Sequence, residues 1–324
     1  MKKKVSLLIA IVIILTMVLL TATALANEGK PVIGVILYYR RDEYYVDLEA
    51  TFTNYGAEQG WEMIIQDADG DINKQIQQME DFITRKVDAI AIAVASPDAL
   101  NDVIDRAVAA GIPVLCYDGG ATTDTISTQV IFDYKMNGQL IGDWTIDYIN
   151  NNLKDDAEVK VAILDFPPSP VVSQPAADEF QARVETLPNV KVVARQDGKA
   201  NRTDSMAATE NILTANPDLD IIYGINFDTG AGALSAVQAV NSNCVVICSG
   251  WASEGFEWLE ADDKNWKAMC ANIPVTQAKD TCDAIAAVLK GETIPKVYES
   301  LPTLLTVDNI KDFDWQSVVA ARKK

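Results

Sequence analysis

The sequence predicts an α/β protein made of two doubly wound, Rossmann-like halves with parallel sheets, and three observations support this. Short runs of β-branched residues alternate with amphipathic helical segments after residue 31, which is typical of βαβ units. The same alternation begins again after Asp155 and Asp156. Of the 324 residues, 49% are apolar and 23% are charged, a composition typical of compact globular domains.

In the first half, the apolar runs at residues 32–37, 61–66, 89–94 and 113–117 are predicted strands. Between the first two, apolar residues recur at helical spacing and stop at Gly60, as at a helix C-terminus. The acidic run that ends at Asp71 is interpreted as a solvated turn and helix start. A third helix is predicted to begin at Ser96-Pro97-Asp98, with an N-cap and a proline in its first turn, and to end at Gly111.

In the second half, residues 159–164, 190–194, 221–224, 245–248 and 267–271 are predicted strands, separated by helices such as 202–215 and 276–289. Ligands of doubly wound sheets bind outside the carboxyl ends of the strands. We therefore expect the functional residues in the loops that follow Leu37, Tyr117, Leu164, Gly224 and Cys248.

The N-terminus predicts export of the protein. Residues 2–4 are lysines, residues 5–20 are almost wholly apolar, and Ala24-Leu25-Ala26 is a small-x-small site, so residues 1–26 are predicted to be a cleaved signal peptide. The alternative is an uncleaved anchor, because the apolar stretch is long enough to span a bilayer. We expect a periplasmic location.

Charge and composition exclude several functional classes. Lys and Arg number 27 against 46 Asp and Glu, a formal net charge of −19, which disfavours a nucleic-acid partner. The chain has no histidine, which removes Ser-His-Asp and Cys-His nucleophiles and histidine-held zinc or haem. We expect neither an enzyme nor a cofactor or metal site.

The sequence contains five cysteines, four of them inside apolar runs. The spacing of Cys244 and Cys248 could suggest a metal site, but the chain lacks the CxxC turn and a second ligand pair at this point. We interpret the cysteines as buried small hydrophobic residues.

Aromatic and acidic residues are concentrated in the loops where a ligand is expected. Residues 38–45 contain four tyrosines together with Asp42, and aromatic faces can stack on a small ring while a carboxylate binds its hydroxyls. Asp118 follows a buried strand and precedes two glycines, so its carboxylate could point into a crevice. The alternatives are that Tyr44 or Tyr45 caps the core and that Asp118 only forms a turn.

Several stretches in order along the chain resemble one family. They are residues 87–90 followed by Ser96-Pro97, residues 110–114 leading to Asp118, residues 216–223, and residues 289–292. From Val32 to about Asn309 the chain resembles the bacterial periplasmic sugar-binding proteins of the ribose and galactose type, which have the type 1 periplasmic binding protein fold.

The resemblance implies a set of ligand-binding positions. Asp42 matches a polar residue that meets sugar hydroxyls, and Tyr44 and Tyr45 match paired aromatics around the ring. Further matches are Asp118, Asn226 and Asn272, with Tyr134 and Trp251 close enough to add to the site. The departures concern charge, because two arginines of the family pattern are replaced by Gly119 and Gln174, and an aspartate is replaced by Gly250.

The resemblance also implies the organisation of the chain. One lobe would comprise residues 31–131 and 273–300, and the other residues 132–272 and 301–321. Three crossings, near residues 130–132, 272–274 and 304–307, would form a hinge on which the cleft closes.

The implied function is capture of a monosaccharide or related polyol by a monomer that delivers it to an ABC permease. Two alternatives stay open: a sensory receptor for a chemoreceptor or sensor kinase, and a binder of a non-sugar ring such as a nucleoside.

Overall fold

The computed structural model describes residues 29–154, 157–168 and 172–322. The predicted signal peptide, residues 1–26, lies outside these ranges. The first half of the chain forms β1 (Val32–Leu37), α1 (Glu43–Glu58), β2 (Glu62–Asp67), α2 (Ile72–Arg85), β3 (Ala89–Ala93), α3 (Asn101–Ala109), β4 (Val114–Tyr117) and β5 (Thr128–Phe132).

The second half continues the same alternation. Its elements are α4 (Tyr134–Asn152), β6 (Val159–Asp165), α5 (Ser173–Val184), β7 (Val190–Asp197), α6 (Arg202–Ala215), β8 (Ile221–Gly224), α7 (Phe227–Ala239), β9 (Val245–Ser249), α8 (Ser253–Glu260), β10 (Trp266–Ala271) and α9 (Pro274–Leu289). The chain ends in β11 (Val297–Ser300), β12 (Thr303–Thr306), a 3₁₀ turn (Ile310–Asp312) and α10 (Trp315–Ala321).

These strands form two six-stranded sheets. The first has the order β11-β5-β4-β3-β1-β2 and is parallel throughout. The second has the order β12-β10-β9-β8-β6-β7, and only β12, which pairs with β10, runs antiparallel to its neighbour. The predicted fold of two doubly wound α/β halves is confirmed, and each of the nine predicted strands is present.

The chain passes between the two sheets three times. It leaves the first sheet after Phe132, returns before Val297 and leaves again between Ser300 and Thr303. The last crossing lies a few residues earlier than expected, because residues 303–306 pair with β10 inside the second sheet. The exact lobe boundaries stay a prediction.

The packing of β1 shows how alternation along a strand supports helices on both faces of a sheet. Ile33, Val35 and Leu37 belong to a core cluster with Phe52 of α1. Ile36, between them, packs in the opposite cluster with residues of α2 and α3. Because side chains on both faces of β1 are buried, the strand is a continuous run of apolar residues.

One helix start differs from the prediction. Helix α3 begins at Asn101, with no side-chain cap at Leu100, rather than at residues 96–98. The Asp98 carboxylate accepts a hydrogen bond from the Thr122 hydroxyl at 2.6 Å, and the Pro97 carbonyl accepts one from the Thr122 amide at 3.1 Å. The segment is therefore held by the loop after β4.

Two interpretations of side chains hold in the structure. Asp71 caps α2 by accepting hydrogen bonds from the amides of Asn73 and Lys74, as its position after a turn suggested. All five cysteines are buried and unpaired, and burial raises the pKa of the Cys116 thiol to about 12. Over the described ranges, no helix has the length and apolar character needed to cross a bilayer.

Candidate functional site

A cavity of about 590 Å³ lies between the two sheets and is lined by loops from both. Eight of the nine predicted site residues line it: Asp42, Tyr44, Tyr45, Asp118, Tyr134, Asn226, Trp251 and Asn272. The loops involved follow β1, β4, β6, β8 and β9, which are the loops expected from a doubly wound architecture. Sequence reasoning therefore located the cavity, although the binding role of each residue stays a prediction.

Asp42 owes its position to the start of α1. Its carboxylate caps the helix by accepting from the Tyr45 amide at 3.1 Å, and it also accepts from the Tyr39 hydroxyl at 3.0 Å. Desolvation by burial is the largest cause of the raised pKa of Asp42, ahead of these hydrogen bonds, which lower it. The cap holds the carboxylate at the cavity wall.

Asp118 follows β4 and lines the cavity. Its backbone is in the left-handed conformation, with φ of +48°. Its carboxylate accepts hydrogen bonds from the hydroxyls of Tyr45 and Tyr134, the second at 3.3 Å. Burial raises the pKa of Asp118 to about 7, and the nearby carboxylate of Asp42 adds to that increase. The strained turn and the two tyrosines place an acid that titrates near neutrality in the cavity.

The tyrosines serve both the core and the cavity. The rings of Tyr44 and Tyr45 meet edge to face, with centroids 5.4 Å apart, and Tyr39 lies 5.0 Å from Tyr45. The Tyr44 hydroxyl donates to the side chain of Gln277, and burial raises the pKa of both Tyr44 and Tyr45. Because these two rings are nearly perpendicular, they cannot stack on the two faces of one ligand ring. One ring presents its face and the other its edge.

The second half contributes amides. The Asn226 side chain accepts from the Thr229 amide in a capping box at the start of α7. Asn137 of α4 donates to the Asn272 side chain at 3.0 Å and accepts from the Ser249 hydroxyl at 2.5 Å. Asn137 was not predicted from the sequence, since it lies one turn into a helix rather than in a loop after a strand.

Trp251 lines the cavity and is held there by a hydrogen bond to the first half. Its indole N–H donates at 2.7 Å to the carboxylate of Asp47, which is buried on α1. Arg322 donates to the same carboxylate at 2.5 Å and to Glu43 at 2.9 Å, and Glu43 in turn accepts from Ser253. These five residues join α1 to the end of the second half, and we call them the clasp.

Gln174 does not line the cavity. It accepts from Arg195 at 3.1 Å and donates to Asp165 at 3.3 Å, while Arg195 is also ion-paired with Asp165 at 2.6 Å. The amide is held by this pair behind the wall of the cavity. Its predicted contact with a ligand stays a prediction, since the Gln174 amide is engaged by Arg195 and Asp165 in this structure.

The cavity is also lined by Arg41, Phe166, Arg202 and Phe227, which do not belong to the nine predicted ligand-binding residues. Arg202 is ion-paired with Asp228 and Glu254, and Arg41 lies 4.6 Å above the ring centroid of Tyr39. Within the described residues, no group of three or more His, Cys, Asp or Glu side chains is arranged to hold a metal ion.

Comparisons with known proteins agree with this architecture. A model of the periplasmic binding protein domain matches residues 33–293. The ribose import binding protein of Bacillus subtilis is 25% identical over 307 residues, covering 91% of this chain and 96% of that protein.

Two solved structures are also similar over most of their length. A periplasmic solute-binding protein of an ABC transporter from Actinobacillus succinogenes, with bound D-allose, has a TM-score of 0.81 at 21% identity and covers 88% of this chain and 100% of its own. An ABC transporter solute-binding protein from Mycobacterium smegmatis, with bound glycerol, has a TM-score of 0.79 at 26% identity. The match covers 88% of this chain and 96% of that protein.

Proposed function

Since the chain belongs to the periplasmic binding protein family, we propose that it captures a sugar or related polyol in the cavity between its two halves and delivers it to an ABC importer. It is a solute-binding protein rather than an enzyme, as are the family members to which it is similar. The observation that carries the proposal is the cavity itself, which combines tyrosine rings with carboxylates and amides at the carboxyl ends of both sheets.

The chemistry of the lining supports a small polyhydroxylated ligand. Hydroxyl groups both donate and accept, and the cavity offers carboxylate acceptors from Asp42 and Asp118 and amide groups from Asn226 and Asn272. Aromatic rings of Tyr44 and neighbouring tyrosines supply apolar faces for the C–H groups of a ring. Few groups orient the ligand and many exclude water, as in most small-molecule sites.

We infer that the protein works in the periplasm and that closure reports occupancy to its partner. A ligand that contacts both halves stabilises their closed arrangement, and three crossings of the chain allow the halves to move as two bodies. The partner would be a permease that recognises the closed surface.

The first experiment is a thermal-shift panel on the chain that begins at Asn27. The probes are ribose, allose, arabinose, galactose, myo-inositol, glycerol and, as non-sugar controls, adenosine and leucine. A ligand that binds only the folded state raises the melting temperature, by an amount that corresponds to about 2.7 kcal/mol at a concentration one hundred times the Kd. A shift with at least one sugar or polyol is expected.

A pair of variants tests the place of binding. Tyr134→Phe removes the hydroxyl that donates to Asp118 and helps to hold its carboxylate in place. It should weaken ligand binding about 2- to 13-fold, which corresponds to a hydrogen bond of about 0.5–1.5 kcal/mol. Tyr298→Phe, on the exposed strand β11, should leave affinity unchanged. A shift with adenosine or leucine alone would refute the sugar proposal, and equal affinity in both variants would place the ligand outside this cavity.

A further inference from the structure

The charged groups that line the cavity are unequal in number. Four are acidic and two are basic: Asp42, Glu43, Asp118 and Asp228 against Arg41 and Arg202. Glu43 is paired with Arg322 and Asp228 with Arg202, each at 2.9 Å. Asp42 and Asp118 are left, and in the described part of the chain neither has a cationic nitrogen within 4.0 Å. Burial raises the pKa of Asp42, and the more distant guanidinium of Arg41 offsets this increase only in part.

The two carboxylates have unused acceptor capacity. Asp42 accepts one hydroxyl and one amide, and Asp118 accepts two hydroxyls. A carboxylate offers about four lone-pair positions, so each has about two to spare. Both are bonded to Tyr45, one through its amide and one through its hydroxyl, and their negative charges raise each other's cost of ionisation in a desolvated setting.

Aromatic rings surround this pair. Tyr38, Tyr39, Tyr44, Tyr45, Tyr134 and Phe166 all line the same cavity. The face of an aromatic ring attracts a cation within about 6 Å of its centroid. Arg41 already lies 4.6 Å above Tyr39, which shows that a ring in this wall can hold a positive charge.

The backbone disfavours any side chain at two positions that border the cavity, one of which, Gly119, replaces an arginine of the family pattern. Gly119, next to Asp118, has φ of +136°, and Gly250 has φ of +119°. Larger side chains rarely adopt these conformations. At Gly250 a Cβ atom would also lie 2.6 Å from the amide nitrogen of Phe227, so a charged residue would have to displace the loop.

We propose, on the basis of the function proposed above, that the ligand carries a protonated primary amine, as an amino sugar does, and that its ammonium group binds between Asp42 and Asp118. The ammonium group has three N–H donors, and the two carboxylates together have about four spare acceptor positions to receive them. Its charge offsets their repulsion, which a neutral hydroxyl group cannot do. The tyrosine faces would contact the same cation and the ring that bears it.

Titration of Asp118 gives the proposal a pH signature. The groups that face it are Asp42 and the tyrosines at 39, 44, 45, 117 and 134, none of them cationic. Its pKa, raised by burial to about 7, means that the ligand-free site is partly protonated below neutrality. Affinity for an amine that stays protonated over this range, such as 1-amino-1-deoxy-D-sorbitol, should therefore rise as the pH increases from about 5.5 to about 7.5, whereas affinity for a neutral sugar should change little.

Matched pairs of compounds test whether a positive charge on the ligand strengthens binding. Isothermal titration calorimetry would compare D-glucosamine with D-glucose, D-galactosamine with D-galactose, and 1-amino-1-deoxy-D-sorbitol with D-sorbitol. Each pair replaces one hydroxyl with an ammonium group at nearly constant size. At least one amine is expected to bind about ten-fold or more tightly than its neutral partner, since hydrogen bonds to charged groups are the stronger ones.

A variant pair assigns the effect to Asp118. Asp118→Asn keeps the side-chain shape and tolerates the left-handed backbone, which asparagine adopts readily, and it should reduce amine affinity at least ten-fold and neutral-sugar affinity by less. Asp69→Asn is the matched control, because Asp69 also has positive φ (+53°) and lies outside the cavity. It should change neither affinity.

The outcomes separate this inference from the proposed function. Equal or tighter binding of the neutral partners overturns the amine and leaves sugar capture standing. Amine binding that Asp118→Asn does not weaken also overturns it. If neither amines nor neutral compounds bind to a protein that melts cooperatively, the proposed function itself fails and the inference fails with it.

Discussion

Asp118 combines two properties that are each costly for an acidic residue. Its backbone has φ of +48°, and its carboxylate is removed from water with tyrosine hydroxyls rather than a cation as partners. Strained residues of this kind persist where the surrounding structure holds them and are concentrated at ligand sites. The carboxylate could form a simple turn without being buried, so its burial favours the binding interpretation.

This residue should make the stability of the ligand-free protein depend on pH. Burial raises its folded-state pKa to about 7, well above the ordinary value of an aspartate. Between these two values the folded state binds more protons than the unfolded state, so stability falls as pH rises. Asp118→Asn removes this contribution. The variant should gain stability over the parent progressively from about pH 4 to about pH 7, by about 1.4 kcal/mol for each pH unit in this range.

Chemical denaturation of both proteins at several pH values measures the difference. The other carboxylates contribute equally to the two proteins, so their contributions cancel in the difference in stability. Glu43 is one of them: desolvation opposes its ionisation, but hydrogen bonds from Ser253 and Arg322 lower its pKa. A difference that does not change with pH would mean that Asp118 titrates as an ordinary aspartate.

The secondary-structure elements differ in how well their presence and bounds can be predicted from the sequence. Strand β1 has the bounds expected from the sequence, residues 32–37, because five of its six residues are buried and burial on both faces leaves an unbroken apolar run. Strands β11 and β12 were not predicted. β11 is mostly exposed, and both depend on distant partners, β5 and β10, so local pattern carries little information about them.

In the candidate site too, residues placed by local sequence could be predicted and residues placed by distant contacts could not. Asp42 and Asn226 could be placed because each is an N-cap in a loop after a strand, and such loops meet at one edge of the sheet. The role of Gln174 was inferred from resemblance alone, and its side chain does not line the cavity, because its hydrogen bonds with Arg195 and Asp165 decide where it points. Its contact with a ligand stays a prediction. The clasp could not be predicted, since Arg322 lies 275 residues from Asp47.

The contact between α6 and α7 makes a prediction for a glycine. A methyl group at Gly232 of α7 would clash with the carbonyl oxygen of Arg202 and would lie 2.9 Å from the Cβ of Ser205 on α6. Overpacking costs about 1–3 kcal/mol, and the better helix propensity of alanine returns up to about 1 kcal/mol. Gly232→Ala should therefore lower the free energy of unfolding by about 1–2 kcal/mol, measured by urea denaturation.

Ser235→Ala is the control on the same helix. Ser235 is exposed, and its hydroxyl donates only to the Ala231 carbonyl one turn back. This change should stay within about 0.5 kcal/mol of the parent. If Gly232→Ala were as stable as Ser235→Ala, close approach of the two helices would not be the reason for the glycine.

At the scale of the whole molecule, the two halves are joined by the clasp as well as by the three crossings. Asp47 is completely buried in the first half, and its carboxylate accepts from Trp251 and Arg322 of the second half. Glu43 extends the set to Ser253. Because these bonds cross from one half to the other beside the cavity, opening the cleft would break them, and a buried carboxylate would need water or another donor in exchange.

Arg322→Ala should therefore destabilise the closed arrangement. Removing one partner of a buried ion pair costs about 3–5 kcal/mol, and we expect about 2–3 kcal/mol here, because the Arg322 side chain is 20% exposed and already partly screened. Small-angle X-ray scattering should show a larger radius of gyration for the ligand-free variant, and ligand affinity should fall, since binding must then supply the energy of closure.

Two further variants identify the cause. Arg106→Ala removes an arginine whose pairs with Glu80 and Asp102 lie on the surface, and such pairs contribute about 0–1 kcal/mol, so neither shape nor affinity should change. Combining Asp47→Asn with Arg322→Ala keeps an acceptor for the Trp251 indole but removes the stranded charge. The double variant should recover part of the lost stability, whereas a loss equal to that of Arg322→Ala alone would mean that helix α10 stabilises the halves by packing and not by its arginine.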